Sequence, residues 1–332
     1  MRRSIVLVML VIMSLLGSAV SPALAQDMPD FKTLITADQV MAHVRALSVD
    51  IGARVAGTEA EAQAADYIAS AFESWGYAVE IQEFDFSNDE ANADAVPRVS
   101  RNVIATRAGD DQMIVVGAHM DSVSVGTGAG DNASGVAAML GAAEALADVE
   151  TVYTLVFVAF GAEEVGLVGS HEYVNSLSDN IANVIAMINL DSVGVGSQLN
   201  VYAGALVTSP ENGNHPPQFE GGPTWVRDTA LGLAAEMGLP FSTTPDSSWG
   251  GFIGDWSDHY AFVEAGVPIA YFEAFGWQGA DDPWWGIETP QGEVMHTEKD
   301  TIDAVVPEKV EMAAELLAAT AYEIASGQVT GG

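Results

Sequence analysis

The chain has no cysteine among its 332 residues. That excludes a disulfide framework, thiolate metal sites and thiol nucleophiles. Positive charge is nearly as scarce. Lys32, Lys299 and Lys309 are the only lysines, and 11 cationic side chains stand against 46 acidic ones, a net charge of −35. Such a chain repels phosphates, which excludes nucleic acid as a partner, and it is equally unsuited to an anionic membrane surface. No G-x-S-x-G is present, so the usual serine-hydrolase elbow is missing. Beyond the N-terminus no apolar run reaches spanning length. Repeats, long linkers and shifts in composition are absent too, which makes one domain the economical organisation.

The one long apolar run stands at the start. Arg2 and Arg3 precede an almost wholly apolar stretch from Ile5 to Leu16, and Ala23-Leu24-Ala25 forms an A-x-A site before Gln26. This reads as a secretory signal over residues 1–25, leaving a single domain over 26–332. The competing reading, an uncleaved anchor, needs a longer run. Loss of Arg2 and Arg3 takes the charge from −35 to −37. The expectation is an exported monomer, periplasmic or extracellular, with no membrane contact after cleavage. Its acidity serves solubility or adaptation to high salt, where screening relieves self-repulsion.

Periodicity and punctuation give a coarse map. Thr36-x-x-Gln39 and Thr58-x-x-Glu61 read as capping boxes, opening helices that run to about Leu47 and to Gly76. Val79–Phe86, Asn102–Arg107, Met113–Ala118, Val152–Phe160, Val184–Leu190 and Ile269–Phe272 read as strands. Ser134–Ala147, Gly169–Leu177, Thr224–Met237, Ser257–Ala265 and Pro307–Ile324 read as helices. Ser87–Arg98, Thr208–Pro223 and Phe275–Val294 read as loops. Strands alternating with helices indicate an α/β fold, a three-layer sandwich around a mostly parallel mixed sheet.

Against this map, five side chains border strand-like runs: His119, Asp131, Glu164, Asp191 and His296. Two imidazoles and three carboxylates without cysteine suit a hydrolytic divalent metal better than a structural zinc. Five ligands are too many for one open site but fit two ions if one carboxylate bridges. Ions about 3.5–4 Å apart share a water and lower its pKa. Glu163 is the natural base for that water, because adjacent residues on an extended segment point opposite ways and it cannot easily join Glu164's metal. Asp121, two residues past His119, is spaced to accept from the other imidazole nitrogen. Taken singly, any of these residues is more often a surface group; their joint order carries the reading.

Other patterns fail. In Gly126-Thr-Gly128-Ala-Gly130 the third dinucleotide glycine falls on Asp131, so a tight loop presenting that carboxylate is the better reading. His171-Glu172 is followed at 175 by Asn, which is no zincin motif. His43, His171 and His215 read as helix or loop residues, and His259 as a support for the cleft. Trp277, Trp284 and Trp285, with Tyr271, Phe272 and Phe275, either wall an apolar pocket or anchor a long loop.

The ordered motifs, His119-Met-Asp121, Asp131-Asn132, Ala162-Glu163-Glu164-x-Gly166-Leu167-x-Gly169-Ser170, Asn189-Leu190-Asp191, Ser257-Asp258-His259 and His296-Thr297-x-x-Asp300-Thr301, resemble the secreted bacterial di-zinc leucyl-type aminopeptidases. That family includes glutaminyl cyclases and transferrin-receptor-like ectodomains. The likeness runs from Arg54-x-x-Gly57-Thr58 to the last helix. It implies two zinc ions, with Asp131 bridging, Glu164 and His296 on one, His119 and Asp191 on the other, and Glu163 as general base. It also implies a cis peptide at Asp131–Asn132. One departure is Met295, where many relatives carry Tyr before the last His; with Tyr271 and Phe272 it is expected to line a pocket for large apolar N-terminal residues of peptide substrates. Three alternatives stay open: a glutaminyl-peptide cyclotransferase, a carboxypeptidase or amino-acid-conjugate hydrolase on the same site, and a non-catalytic binding protein.

Overall fold

Capping chemistry opens the first helices. After α1 (Phe31–Leu34), α2 (Ala37–Arg45) begins at Thr36, whose hydroxyl accepts from the Gln39 amide and donates to the Gln39 side chain. A wide turn over Ala46–Ile51 prolongs it. In a computed structural model, residues 27–87, 98–209, 218–243, 250–276, 288–289 and 292–329 are described. The expected signal, His215, Trp277, Trp284 and Trp285 lie outside them. No helix among the described residues is long and apolar enough to cross a membrane.

The second capping box resolves differently. α3 (Glu59–Ser74) starts after Thr58, but the Thr58 hydroxyl donates to the Val55 carbonyl. Glu61 turns inward, 2% exposed, and accepts from the Gly57 amide, the Ser100 hydroxyl and the Ala162 amide. The glutamate expected to close the cap instead fastens the turn that carries Glu163.

The remaining elements alternate. They are β1 (Ala78–Phe86), β2 (Arg98–Arg107), β3 (Asp110–His119), α4 (Ser134–Leu146), β4 (Tyr153–Phe160), α5 (Val168–Leu177), β5 (Val184–Leu190), β6 (Leu199–Ser209) and β7 (Gln218–Gly221). Then follow α6 (Trp225–Met237), β8 (Phe241–Ser242), β9 (Phe252–Ile253), α7 (His259–Glu264), β10 (Ile269–Ala274), the small pair β11 (Glu288–Thr289) and β12 (Gly292–Glu293), and α8 (Pro307–Ala325). One sheet takes the order β1-β2-β4-β3-β5-β10-β6-β7, with β8 and β9 on β6. Its centre, β4-β3-β5-β10, is parallel, and β1, β2, β6 and β7 pair antiparallel on the flanks.

Alternation along β3 explains the three layers. Ile114, Val116 and Ala118 join a core shared with α2, α3, α4, α6 and α8, while Val115 joins a second core with Phe262 of α7 and Tyr173 of α5. β4 is buried at every position, as a central parallel strand must be. Thr208–Pro223 departs from the loop expected there. β6 continues to Ser209, and Gln218–Gly221 pairs back on Ala205–Ser209. Residues 210–217 of that stretch lie outside the described residues.

Candidate metal centre

Because β3, β4 and β5 are parallel, their C-terminal ends open on one edge of the sheet, where α/β folds collect ligands. His119 is the last residue of β3, Asp191 follows β5, and Glu163 and Glu164 lie in the turn after β4. Asp131 sits in the tight turn before α4, and His296 follows β12. All five sequence-predicted ligands meet. His119 Nε2 lies 3.2 Å from Asp131 Oδ1 and 3.4 Å from Asp191 Oδ1. His296 Nε2 lies 3.1 Å from both Asp131 Oδ2 and Glu164 Oε2. Ligand atoms about 2.0–2.1 Å from a tetrahedral zinc stand roughly 3.3 Å apart, so these spacings fit the edges of such a site. Two overlapping groups, His119-Glu163-Asp191 and His119-Asp131-Glu164, keep their donor atoms within 4.8 Å of one another. Glu163 and Glu164 fall in different groups.

Electrostatics match a demand for positive charge. Burial disfavours a charged His119, yet Glu163 and Asp191 hold its imidazole well above the ordinary value. Hydrogen bonds to Asp131 and Glu164 lift His296 to about 10. Asp131 is held below the usual carboxylate range, since its bonds to the two imidazoles outweigh its burial. Burial lifts Glu163 well above its usual range.

The supports are more numerous than the sequence suggested. His119 Nδ1 reaches the Asp121 main-chain carbonyl at 3.3 Å, and the Asp121 carboxylate is 3.7 Å away. That carboxylate also accepts from the amides of Glu163 and Glu164, at 3.1 and 3.2 Å. Asp121 thus orients the glutamate turn, a role that its spacing from His119 did not reveal. Asp300 accepts from the amides of Gly130 and Asp131. Asn132 accepts from the Gly135 and Ser192 amides and donates to the Leu190 carbonyl, tying the Asp131 turn to the Asp191 segment. The Asp131–Asn132 peptide is cis. His259 is buried, with Nε2 on the Gly254 carbonyl and its ring 4.8 Å from Tyr271.

Known proteins resemble this chain in sequence and in fold. A model of peptidase family M28 matches residues 102–321. The aminopeptidase YwaD of Bacillus subtilis is 31% identical over 235 residues, 68% of this chain and 45% of that one. The alkaline phosphatase isozyme conversion protein of Escherichia coli is 30% identical over 246 residues, 68% of each chain. The chain belongs to peptidase family M28. The leupeptin-inactivating enzyme 1 of Streptomyces exfoliatus is another relative, 31% identical over 69% of this chain and 47% of its own. The chain thus spans about half the length of the Bacillus and Streptomyces relatives, 45% and 47%. Among solved structures, the zinc aminopeptidase BSAP from Bacillus subtilis shares the fold at TM-score 0.67 and 22% identity, covering 90% of this chain and 96% of that one. A glutaminyl cyclase from Porphyromonas gingivalis shares it at TM-score 0.65 and 19% identity, covering 89% and 99%.

The pocket expected of this M28 chain needs correction at Phe272. That ring is fully buried in the core with α4, α6 and α8, edge-on to Phe241, and has no face to offer a substrate. Tyr271 points to the opposite face of β10, 2% exposed, packed on Tyr202 and His259. As consecutive strand residues, the two are packed into the layers on either side of the sheet. Met295 remains half-buried beside His296. Glu273 and Asp258 are two further buried carboxyls near Asp191. Burial raises Glu273 well above its usual range and lifts Asp258 to about 7.

Proposed function

We propose that this chain is a zinc-dependent aminopeptidase that hydrolyses the N-terminal bond of peptides, acting as one unit over residues 26–332. Glu164 and His296 would hold one zinc ion and His119 and Asp191 a second, with Asp131 placed to serve both. One observation carries this reading: the two oxygens of Asp131 face two different imidazoles, at 3.2 and 3.1 Å. Bound zinc supplies Lewis acidity and lowers the pKa of a water. Glu163 takes the proton from the attacking water and returns it to the leaving amine. Burial raises its proton affinity and suits it to both steps. The names of the Bacillus and Streptomyces relatives support a peptidase.

Met295, apolar and next to His296, supports a preference for large apolar N-terminal residues. The net charge of −35 works against acidic ones. The protein is exported and monomeric, and its partners are peptides. A panel of aminoacyl chromogenic amides, assayed with and without chelator, tests the reading. Leucyl and methionyl amides should be cleaved best, and chelator should abolish turnover. Cleavage of a peptide blocked at its N-terminus would point to a carboxypeptidase or conjugate hydrolase. Ring closure of N-terminal glutamine without hydrolysis would point to a cyclotransferase.

A further inference from the structure

Arg54 is fully buried, the bulkiest side chain to be so among the described residues. Its Nε donates to the Met120 carbonyl at 2.7 Å. Nη1 donates to Thr127, Gly52 and Leu47 carbonyls at 2.9, 3.1 and 3.3 Å, and Nη2 to the Gly128 carbonyl at 2.7 Å. Its main chain exchanges bonds with Ser122, whose hydroxyl accepts from the Arg54 amide and whose amide donates to the Arg54 carbonyl. Met120 and Ser122 flank Asp121 and follow His119. Thr127 and Gly128 begin the turn that presents Asp131. The contact is tight, since a Cβ on Gly128 would meet Arg54 Nη2 at 2.8 Å and Ser122 Cβ at 2.5 Å.

Every acceptor of the guanidinium is a main-chain carbonyl. A buried cation with no carboxylate in contact is an expensive way to fill space, and a Met of similar length would avoid the desolvation. What arginine alone brings is a rigid fork of donors and a permanent charge. Four carboxylates, Asp300, Asp121, Asp131 and Glu164, lie within its field. Three of them surround the proposed metal pair, where they repel one another.

We infer that Arg54 is a positioning residue for the metal pair. Its guanidinium locks the segment after His119 to the turn that presents Asp131, and its charge offsets the repulsion among the carboxylates gathered there. Asp300 completes the clamp from the other side, through the amides of Gly130 and Asp131. The inference rests on the reading of the five side chains as ligands.

The test uses the full chain with Arg54→Lys, Arg54→Met and Gly128→Ala, the last pressing on the guanidinium from the loop side. Circular dichroism and thermal melts report the fold. Zinc stoichiometry and affinity come from competition with a chromophoric chelator, and ligand geometry from the cobalt(II) absorption spectrum. Arg54→Lys should stay folded and bind zinc about 10- to 100-fold more weakly, as removal of a ligand's support does. Its cobalt spectrum should shift, and excess zinc should restore part of the turnover. Gly128→Ala should change affinity in the same direction. A folded Arg54→Lys with wild-type zinc affinity and cobalt spectrum would overturn the inference. If both Arg54 variants fail to fold, a folded Gly128→Ala with unchanged affinity does the same. Loss of the fold in all three makes Arg54 a general staple and also overturns it. A wild-type chain that binds no zinc defeats the proposed function instead, so the two failures are distinguishable.

Discussion

At the scale of the residue, the proposed chemistry rests on Glu163. It is 9% exposed and shares a donor group with His119 and Asp191. Glu163→Gln keeps the shape and the Asp121 bond to the main-chain amide but removes the proton acceptor. Turnover should fall by at least about 10²-fold with zinc content unchanged. A fully metallated variant with near-normal turnover would remove Glu163 from this role. A second residue has its effect on stability. Burial lowers His43 to about 4 from 6.5, and its Nδ1 pairs with the Tyr67 hydroxyl. The unfolded chain therefore binds a proton between pH 6.5 and 4 that the folded chain refuses, and stability falls as pH falls through that window. At about 1.4 kcal/mol per unit, the loss is about 3 kcal/mol at most, since His43 keeps some contact with solvent. His43→Phe removes this slope. Its melting temperature, compared with wild type at pH 7 and pH 4.5, should gain on wild type at the lower pH; a constant gap would mean that His43 titrates normally.

At the scale of the element, the long helices and buried strands were legible, because α3 and α8 repeat their apolar residues at the helical period and β4 is one continuous apolar run. Three of the five expected ligands, His119, Glu164 and Asp191, were legible because each ends or follows a strand that the sequence announces. What escaped were residues working through the main chain. Arg54, Glu61 and Asn132 act on amides and carbonyls far away in sequence, and no local pattern announces such a partner. β6 escaped because its pairing, not its composition, makes it a strand. The turn after β4 shows how closely elements are fitted. Asn102 accepts from the Gly161 amide and donates to the Gly169 carbonyl, holding α5 against that turn. A Cβ on Gly169 would lie 2.2 Å from the Gly161 carbonyl oxygen. Gly169→Ala should therefore cost about 1–3 kcal/mol and reduce turnover, by moving the glutamates. Gly232, inside α6, meets nothing within 4 Å of such a Cβ. Gly232→Ala should stabilise by about 0.4–1 kcal/mol with turnover unchanged. Equal melting temperatures for the two variants would refute the packing argument.

At the scale of the whole molecule, the net charge of −35 sets the terms. Only 11 cationic side chains stand against 46 acidic ones, so most carboxylates lack a cation beside them. Arg101 pairs with Glu83 and Arg227 with Asp228. Carboxylate repulsion is therefore relieved mainly by dissolved salt. The Debye length shrinks from about 30 Å at 0.01 M to about 3 Å at 1 M. At low salt carboxylates feel one another across the molecule, and at high salt only neighbours do. Compaction raises that repulsion, so low salt should destabilise the folded state more than the unfolded one. The melting temperature should rise steeply between about 0.01 and 0.3 M sodium chloride and flatten as the Debye length falls below the spacing of surface charges. Screening depends on ionic strength and not on the identity of the anion, so sodium chloride and sodium perchlorate should give the same rise over that range. A melting temperature indifferent to salt would leave solubility as the reason for the acidity. A rise with chloride and a fall with perchlorate would trace the effect to hydration of the surface instead of to its charge.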